Sequence, residues 1–252
     1  MKSQNVFRRF LAVAAGLASA AVCAGLWAGV PATASETGVV YVVQGLPGRT
    51  VDVQVDGRTM ATGVVAAKVV GPLTVSSGNH RLTIRSGGSV MLERMLSVKV
   101  NGNSDVVVHR PASPQGAPVV TTFENDLSAV PADKGSLTVA HTAAVPPADI
   151  KVNGKVLFSN VANGESLHVV VPAATYSVQI VPTGANGPSI LGPADLPVKG
   201  GSLTNVYAIG EPKSGTMNVV VHVLGLSHMG SEKPSKVNTG TGGQAYFLGL
   251  TW

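Results

Sequence analysis

Ala148-Asp-Ile-Lys-Val-Asn-Gly-Lys-Val-Leu-Phe-Ser-Asn-Val161 decides how this chain is read. Ile150 and Val152 alternate with Asp149, Lys151 and Asn153, the two-residue period of a strand with one buried face. Asn153-Gly154 then supplies two adjacent residues that tolerate positive φ, as a two-residue type I′ hairpin turn demands. Val156 and Phe158 begin the return strand. The unit occurs twice. Val51-Asp-Val-Gln-Val-Asp-Gly-Arg-Thr-Met-Ala-Thr-Gly-Val64 matches it position by position, with Asp52 standing for Asp149 and Asp56-Gly57 for Asn153-Gly154. The offset from Asp52 to Asp149 is 97 residues, the length of one small sandwich domain rather than of a solenoid unit.

The flanking sequence fits two copies of such a domain. In the first, Val39–Val43, Leu73–Val75, His80–Ile84 and Val119–Phe123 read as strands separated by turn residues. His80, Leu82 and Ile84 share the inward face, with Arg81, Thr83 and Arg85 outward. Leu96–Val100 and Val106–Val108, joined through Asn101-Gly102, read as a further hairpin. The second copy repeats the order with Leu137–Ala140, His168–Val171 and the alternating Tyr176, Val178 and Ile180. Leu196–Val198 and Val206–Ile209 follow, joined through Gly200-Gly201, and then Met217–Val223. No long segment carries a helical period. The expected fold is all-β: two tandem Ig-like antiparallel β-sandwich domains, forming a rigid, elongated pair.

The N-terminus has the form of an export signal. Lys2, Arg8 and Arg9 precede an apolar run from Phe10 to Trp27, and Ala32-Thr33-Ala34 offers a small-residue cleavage site. The expected organisation is a signal peptide over 1–34, module one over 35–126, a linker over 127–135, module two over 136–226 and a flexible tail over 227–252. Cys23, the only cysteine, lies inside the signal. Chain stability therefore rests on packing rather than on disulfides. With the signal removed, 15 of the 18 basic residues face 13 acidic ones. There is no basic cluster interleaved with aromatics, so nucleic acid is not an expected partner.

Val139-Ala-His-Thr-Ala-Ala-Val-Pro-Pro-Ala-Asp-Ile-Lys-Val-Asn-Gly154 and Pro172-Ala-Ala-Thr-Tyr176 resemble motifs of domain of unknown function 4397 (DUF4397). Phe123-Glu-Asn-Asp-Leu-Ser128 resembles the connector between tandem copies. The likeness is strong in module two and looser in module one, where Gln44 stands for His141 and His80 for Tyr176. The resemblance implies an exported bacterial protein with an Ig-like sandwich, and it brings no catalytic residues.

The candidate motif residues are Asp52, Asp56, Gly57, His141, Asp149, Asn153 and Gly154. Asp52 and Asp149 lack a recurring second carboxylate or base, as acid–base chemistry would require. The reading is that they hold the preceding loop through backbone N–H groups. His141, at a strand end, is expected to bond a neighbouring loop, and His222, between Val221 and Val223, is expected to face solvent. Asn101-Gly-Asn-Ser-Asp105 has oxygen donors but too few acids for a strong calcium site. No histidine pair has metal-ligand spacing and no nucleophile elbow is present. No catalytic, metal or cofactor site is expected, and no cofactor. The expected role is a non-catalytic secreted or cell-wall-associated structural or adhesive protein, with a cell-envelope component or another surface protein as partner. A carbohydrate-binding module for envelope glycan is the second reading and an envelope hydrolase the third.

Overall fold

A computed structural model describes residues 36–184 and 188–226. The signal peptide and the tail of the sequence reading lie outside the described residues. Sixteen strands run β1 Thr37–Gln44, β2 Val51–Val55, β3 Arg58–Val64, β4 Val69–Ser76, β5 Gly78–Ser86, β6 Ser89–Val98, β7 Asn103–His109, β8 Val119–Glu124, β9 Lys134–His141, β10 Ala148–Val152, β11 Lys155–Val161, β12 Ser166–Pro172, β13 Ala174–Pro182, β14 Leu191–Val198, β15 Ser202–Ile209 and β16 Asn218–Gly225. The one helical element among the described residues is a 3₁₀ turn at Pro212–Ser214.

The strands form four four-stranded sheets in two matching pairs. In the first module, β4-β1-β7-β8 faces β3-β2-β5-β6. In the second, β12-β9-β15-β16 faces β11-β10-β13-β14. Each module is thus a β-sandwich. The hairpin corners follow the chemistry of their residues. Asp56 and Gly57 have φ of 49° and 78°, Asn153 and Gly154 of 48° and 79°, the left-handed pair of a type I′ turn.

Two expected hairpins are not hairpins. β6 pairs with β5, whereas β7 pairs in parallel with β1. Likewise β14 pairs with β13, whereas β15 pairs in parallel with β9. The connections after β6 and β14 carry the chain from one sheet to the other. At Asn101-Gly102 only Asn101 is left-handed, with φ of 54°, and a type I′ turn requires two such residues. Each module therefore has one parallel strand pair within an otherwise antiparallel pattern.

Side-chain alternation distributes the packing over three layers. In β7, Val106 and Val108 enter the core of the first sandwich beside Leu82, Ile84 and Leu96. In β15, Val206 enters the core of the second beside Leu137, Val139 and Ile150. The intervening positions are buried too. Val43, Val107 and Phe123 of module one form one apolar cluster with Ala140, Tyr207, Ile209 and Val220 of module two. The inner sheets of the two modules are therefore stacked face to face, giving four sheets in series. The expected elongated pair is corrected by this contact. Each inner sheet carries apolar side chains on both faces, and parting the sheets would expose those of the junction to water.

The expected linker is also partly structured. Val130 is 5% exposed and packs on Leu203 and Leu226, and β9 already begins at Lys134. Thr83, expected outward, is 5% exposed. It sits on a central strand between Gln54 and Glu93, and its hydroxyl lies 3.3 Å from Glu93 Oε1.

Candidate functional site

The motif residues divide between the two outer sheets and the end of β9; they do not converge on one centre. Asp52 and Asp149 begin the same hairpin in their respective modules, and both accept a backbone N–H eleven residues on. Asp52 Oδ1 accepts from Gly63 at 2.9 Å, and Asp149 Oδ1 from Asn160 at 2.8 Å. Gly63 and Asn160 are left-handed residues where the β2–β3 and β10–β11 registers shift. A bulge leaves an N–H without a ladder partner, and the carboxylate supplies one. Asp149 Oδ2 also accepts from Gly184 at 3.2 Å. Backbone N–H groups of Asn160 and Gly184 hold the Asp149 carboxyl below its ordinary range, against the opposing effect of burial. The segments held are the return strand and, for Asp149, also the start of the β13–β14 connection, rather than the expected preceding loop.

The corner residues clasp the next strand. Asp56 Oδ1 accepts from Arg81 N at 2.8 Å and Asn153 Oδ1 from Ser177 N at 3.0 Å. Asp56 Oδ2 also lies 2.6 Å from His80 Nδ1. His80 and the nearby Ser76 hydroxyl, 3.3 Å from His80 Nε2, outline a Ser-His-Asp sequence of contacts. The ring is not placed as a base, however, because Nε2 is 2.7 Å from the Ser76 carbonyl oxygen and donates to it. Tyr176, the counterpart of His80, likewise donates to Pro172 O at 2.8 Å. In both modules this position ties its strand to the carbonyl four residues earlier. The His80 hydrogen bond, followed by that of Arg81 N, holds the Asp56 carboxyl below its ordinary range.

His141 closes β9, and its Nε2 lies 3.2 Å from Pro146 O. Gln44 does the same work in module one, donating Nε2 to Arg49 O at 3.0 Å and accepting from Leu46 N at 2.8 Å. Burial lowers the His141 pKa, against hydrogen bonding to the Pro146 carbonyl. The nearby His109 is fully buried. Its Nδ1–H donates to Arg110 O at 2.8 Å, and Nε2 lies 2.9 Å from Thr121 Oγ1. Burial lowers the pKa of this ring as well, against its hydrogen bond to the Arg110 carbonyl.

The most concentrated polar chemistry lies between the stacked inner sheets. Asp105 is 0% exposed. Its Oδ1 accepts from Asn125 Nδ2 at 2.8 Å. Its Oδ2 accepts from Tyr207 Oη at 2.6 Å, His222 Nδ1 at 2.8 Å and Asn205 Nδ2 at 3.2 Å. Asn205 also donates to Asn125 Oδ1 at 2.6 Å. Tyr41 packs on the His222 ring with centroids 4.4 Å apart, and Phe123 on Tyr207 at 5.5 Å. Burial pushes the Asp105 carboxyl up, but hydrogen bonds from His222, Tyr207 and Asn125 outweigh it, leaving the group below its ordinary range. Burial and the Asp105 charge together push the Tyr207 hydroxyl well up, so it remains a donor.

This cluster corrects two expectations. His222 points out of its own sandwich, but module one covers it, leaving its side chain 11% exposed. Asp105, expected among the oxygen donors of a hairpin turn, faces the junction instead. The sequence signal was present in Asp105-Val-Val-Val-His109 and Ser202–Ile209: these runs lack the alternation of a half-solvated strand, which marks burial on both faces.

Residues 38–148 match the family model described as Domain of unknown function (DUF4397). The matched span covers the first sandwich and the connector and ends at the first residue of β10. It takes in module one, where the motif likeness is looser, and Val139–Ala148 of the module-two motif. No curated protein matches the chain.

Proposed function

We propose that this chain is an exported, non-catalytic structural or adhesive protein of the cell surface. Its two sandwiches act as one rigid body that engages a cell-envelope component or another surface protein. The observation that supports this reading is the Asp105 junction. A buried carboxylate tied to Tyr207, Asn205 and His222 of the other module fixes the register of one sheet on the other, because a slipped register would leave the charge unpaired. Fixed geometry of this kind suits a load-bearing or presenting module. The glycan-binding reading loses support among the described residues. Phe123 and Tyr207 are buried in the junction, Tyr41 is packed on His222, and Phe158 and Tyr176 pack against the second core. An exposed aromatic platform is what sugar stacking would need.

Cross-linking of the processed protein in intact cells, followed by identification of the adducts, tests the proposal alongside assays with generic ester and glycoside substrates. A reproducible envelope adduct with no turnover is expected. Turnover of a substrate that co-purifies with the protein, and that persists through further fractionation, would overturn it.

A further inference from the structure

Three connections of module one meet at one end of its sandwich: residues 45–50 between β1 and β2, the turn between β5 and β6, and residues 110–118 between β7 and β8. They line a cleft of about 370 Å³, within the range of small-ligand sites. Arg49, Arg110, Ser86 and Ser89 form its polar wall and Leu46 and Met91 part of its apolar wall, with no acidic residue in the lining. Among the described residues neither arginine takes part in an ion pair.

We propose that this cleft binds an oxyanion carried on a small apolar body, a carboxylate or a phosphate monoester. Guanidinium groups present planar forks of donors matched to both anions, and the apolar wall accommodates the rest of the ligand. The site is held ready by buried groups. Gln44, 1% exposed, bonds the Arg49 carbonyl and the Leu46 N–H. His109 bonds the Arg110 carbonyl at 2.8 Å. Arg110 Nη1 donates to Pro114 O at 3.0 Å, which aims the guanidinium; among the described residues its other N–H donors make no hydrogen bond. Ser86 Oγ donates to Thr50 O at 3.0 Å, and Arg85 donates to Gly88 O, so the three connections are tied to fixed positions. Preorganisation of this kind reduces the entropy lost on binding.

Module two provides an internal control. Pro146 stands where Arg49 does, and Gly210 where Arg110 does, yet His141 still bonds the Pro146 carbonyl as Gln44 bonds that of Arg49. The first loop keeps its brace without Arg49. A charged side chain at position 49 is therefore not required by the loop's brace, and a ligand accounts for it. This inference stands apart from the scaffold role, since a rigid pair could carry it or lack it.

The test is titration of the purified chain with phenyl phosphate, benzoate and the neutral benzyl alcohol, followed by NMR chemical shifts. The same titrations are run on Arg49→Gln, Arg110→Gln and, on the outer sheet face, Arg81→Gln, with thermal midpoints confirming that each variant is folded. Saturable binding of at least one anion and none of the alcohol is expected. Arg49→Gln and Arg110→Gln should each weaken it at least about tenfold, the loss of one charged hydrogen bond, while Arg81→Gln leaves it unchanged. The preferred anion identifies the ligand as a carboxylate or a phosphate. Absence of saturable binding of both anions, or equal binding by the wild type and by whichever cleft variant is folded, would overturn the proposal.

Discussion

Asp105 and Asn205 occupy the same place in their two modules, and they meet: Asn205 Nδ2 donates to Asp105 Oδ2 at 3.2 Å. Asp105 is flanked by Tyr41 of β1 and Phe123 of β8, and Asn205 by Thr138 of β9 and His222 of β16. Each sheet thus presents an equivalent patch to the other, the self-complementary arrangement of a two-fold interface, here built within one chain. Having aspartate on one side and asparagine on the other avoids placing two carboxylates together.

Removal of the charge should be costly. Asp105→Ala leaves the Tyr207 hydroxyl and His222 Nδ1 without their acceptor, and each buried donor left unsatisfied costs about 1–3 kcal/mol. Urea denaturation followed by far-UV circular dichroism should show a lower midpoint and, where the junction parts before the sandwiches, a broader or divided transition. Because the folded-state pKa of Asp105 is lowered, its contribution is full above the ordinary carboxylate value of 3.8 and is lost as pH falls through the lower folded value. An unchanged midpoint at neutral pH would contradict this role.

His141 and His109 set a second pH dependence at higher pH. Burial lowers both from the ordinary value of 6.5. The unfolded chain takes up protons on these rings as pH falls below that value while the folded chain does not, so stability is full above it and declines as pH drops toward the folded values. His141→Gln should retain the loop brace, as Gln44 does in module one, and remove one proton from the difference. The slope of stability against pH between about 5 and 6.5 should then fall by up to about 1.4 kcal/mol per pH unit, as measured by urea midpoints over that range.

The two bulge-bracing acids should differ in weight. Asp149 accepts from Asn160 N and Gly184 N, Asp52 from Gly63 N alone. Asp149→Ala should therefore lower the thermal midpoint more than Asp52→Ala, and amide exchange should speed up at Asn160 and Gly63 respectively. The reverse order would show that the hairpins do not depend on these bonds.

Gly38 and Gly135 form a further matched pair. A Cβ on Gly38 would lie 2.6 Å from Lys99 O and 2.8 Å from Val98 Cγ1. One on Gly135 would meet Lys199 O and lie 2.7 Å from Val198 Cγ1. Both glycines let the first strand of a module pass against the crossover between its sheets. Gly38→Ala and Gly135→Ala should each destabilise by about 1–3 kcal/mol, as overpacking does, measured by chemical denaturation.

Much of the single module was legible in the sequence, because its signals are local. Ile150 and Val152 alternate with polar residues, and Asn153-Gly154 and Asp56-Gly57 supply the positive φ that a tight hairpin needs. The crossovers were not legible, since Asn101-Gly102 looks like the same corner and differs in the φ of its second residue. The junction was legible only as burial of β7 and β15 on both faces; what covers them was not. Whether Val107 and His222 face solvent or a second sheet depends on the partner surface, and a period of two places residues on a face without saying what covers it. Asp105 among valines was the exception, a charge in a doubly buried run that must have partners somewhere.

The two sandwiches are joined through Asp105. A double-mutant cycle between Asp105→Ala and Tyr207→Phe, residues joined by the 2.6 Å bond across the junction, measures that join directly. The predicted result is a coupling energy of about 1.5–3 kcal/mol, the range for a hydrogen bond to a charged group. Additive effects, with coupling below about 0.5 kcal/mol, would mean that the two modules do not share this contact.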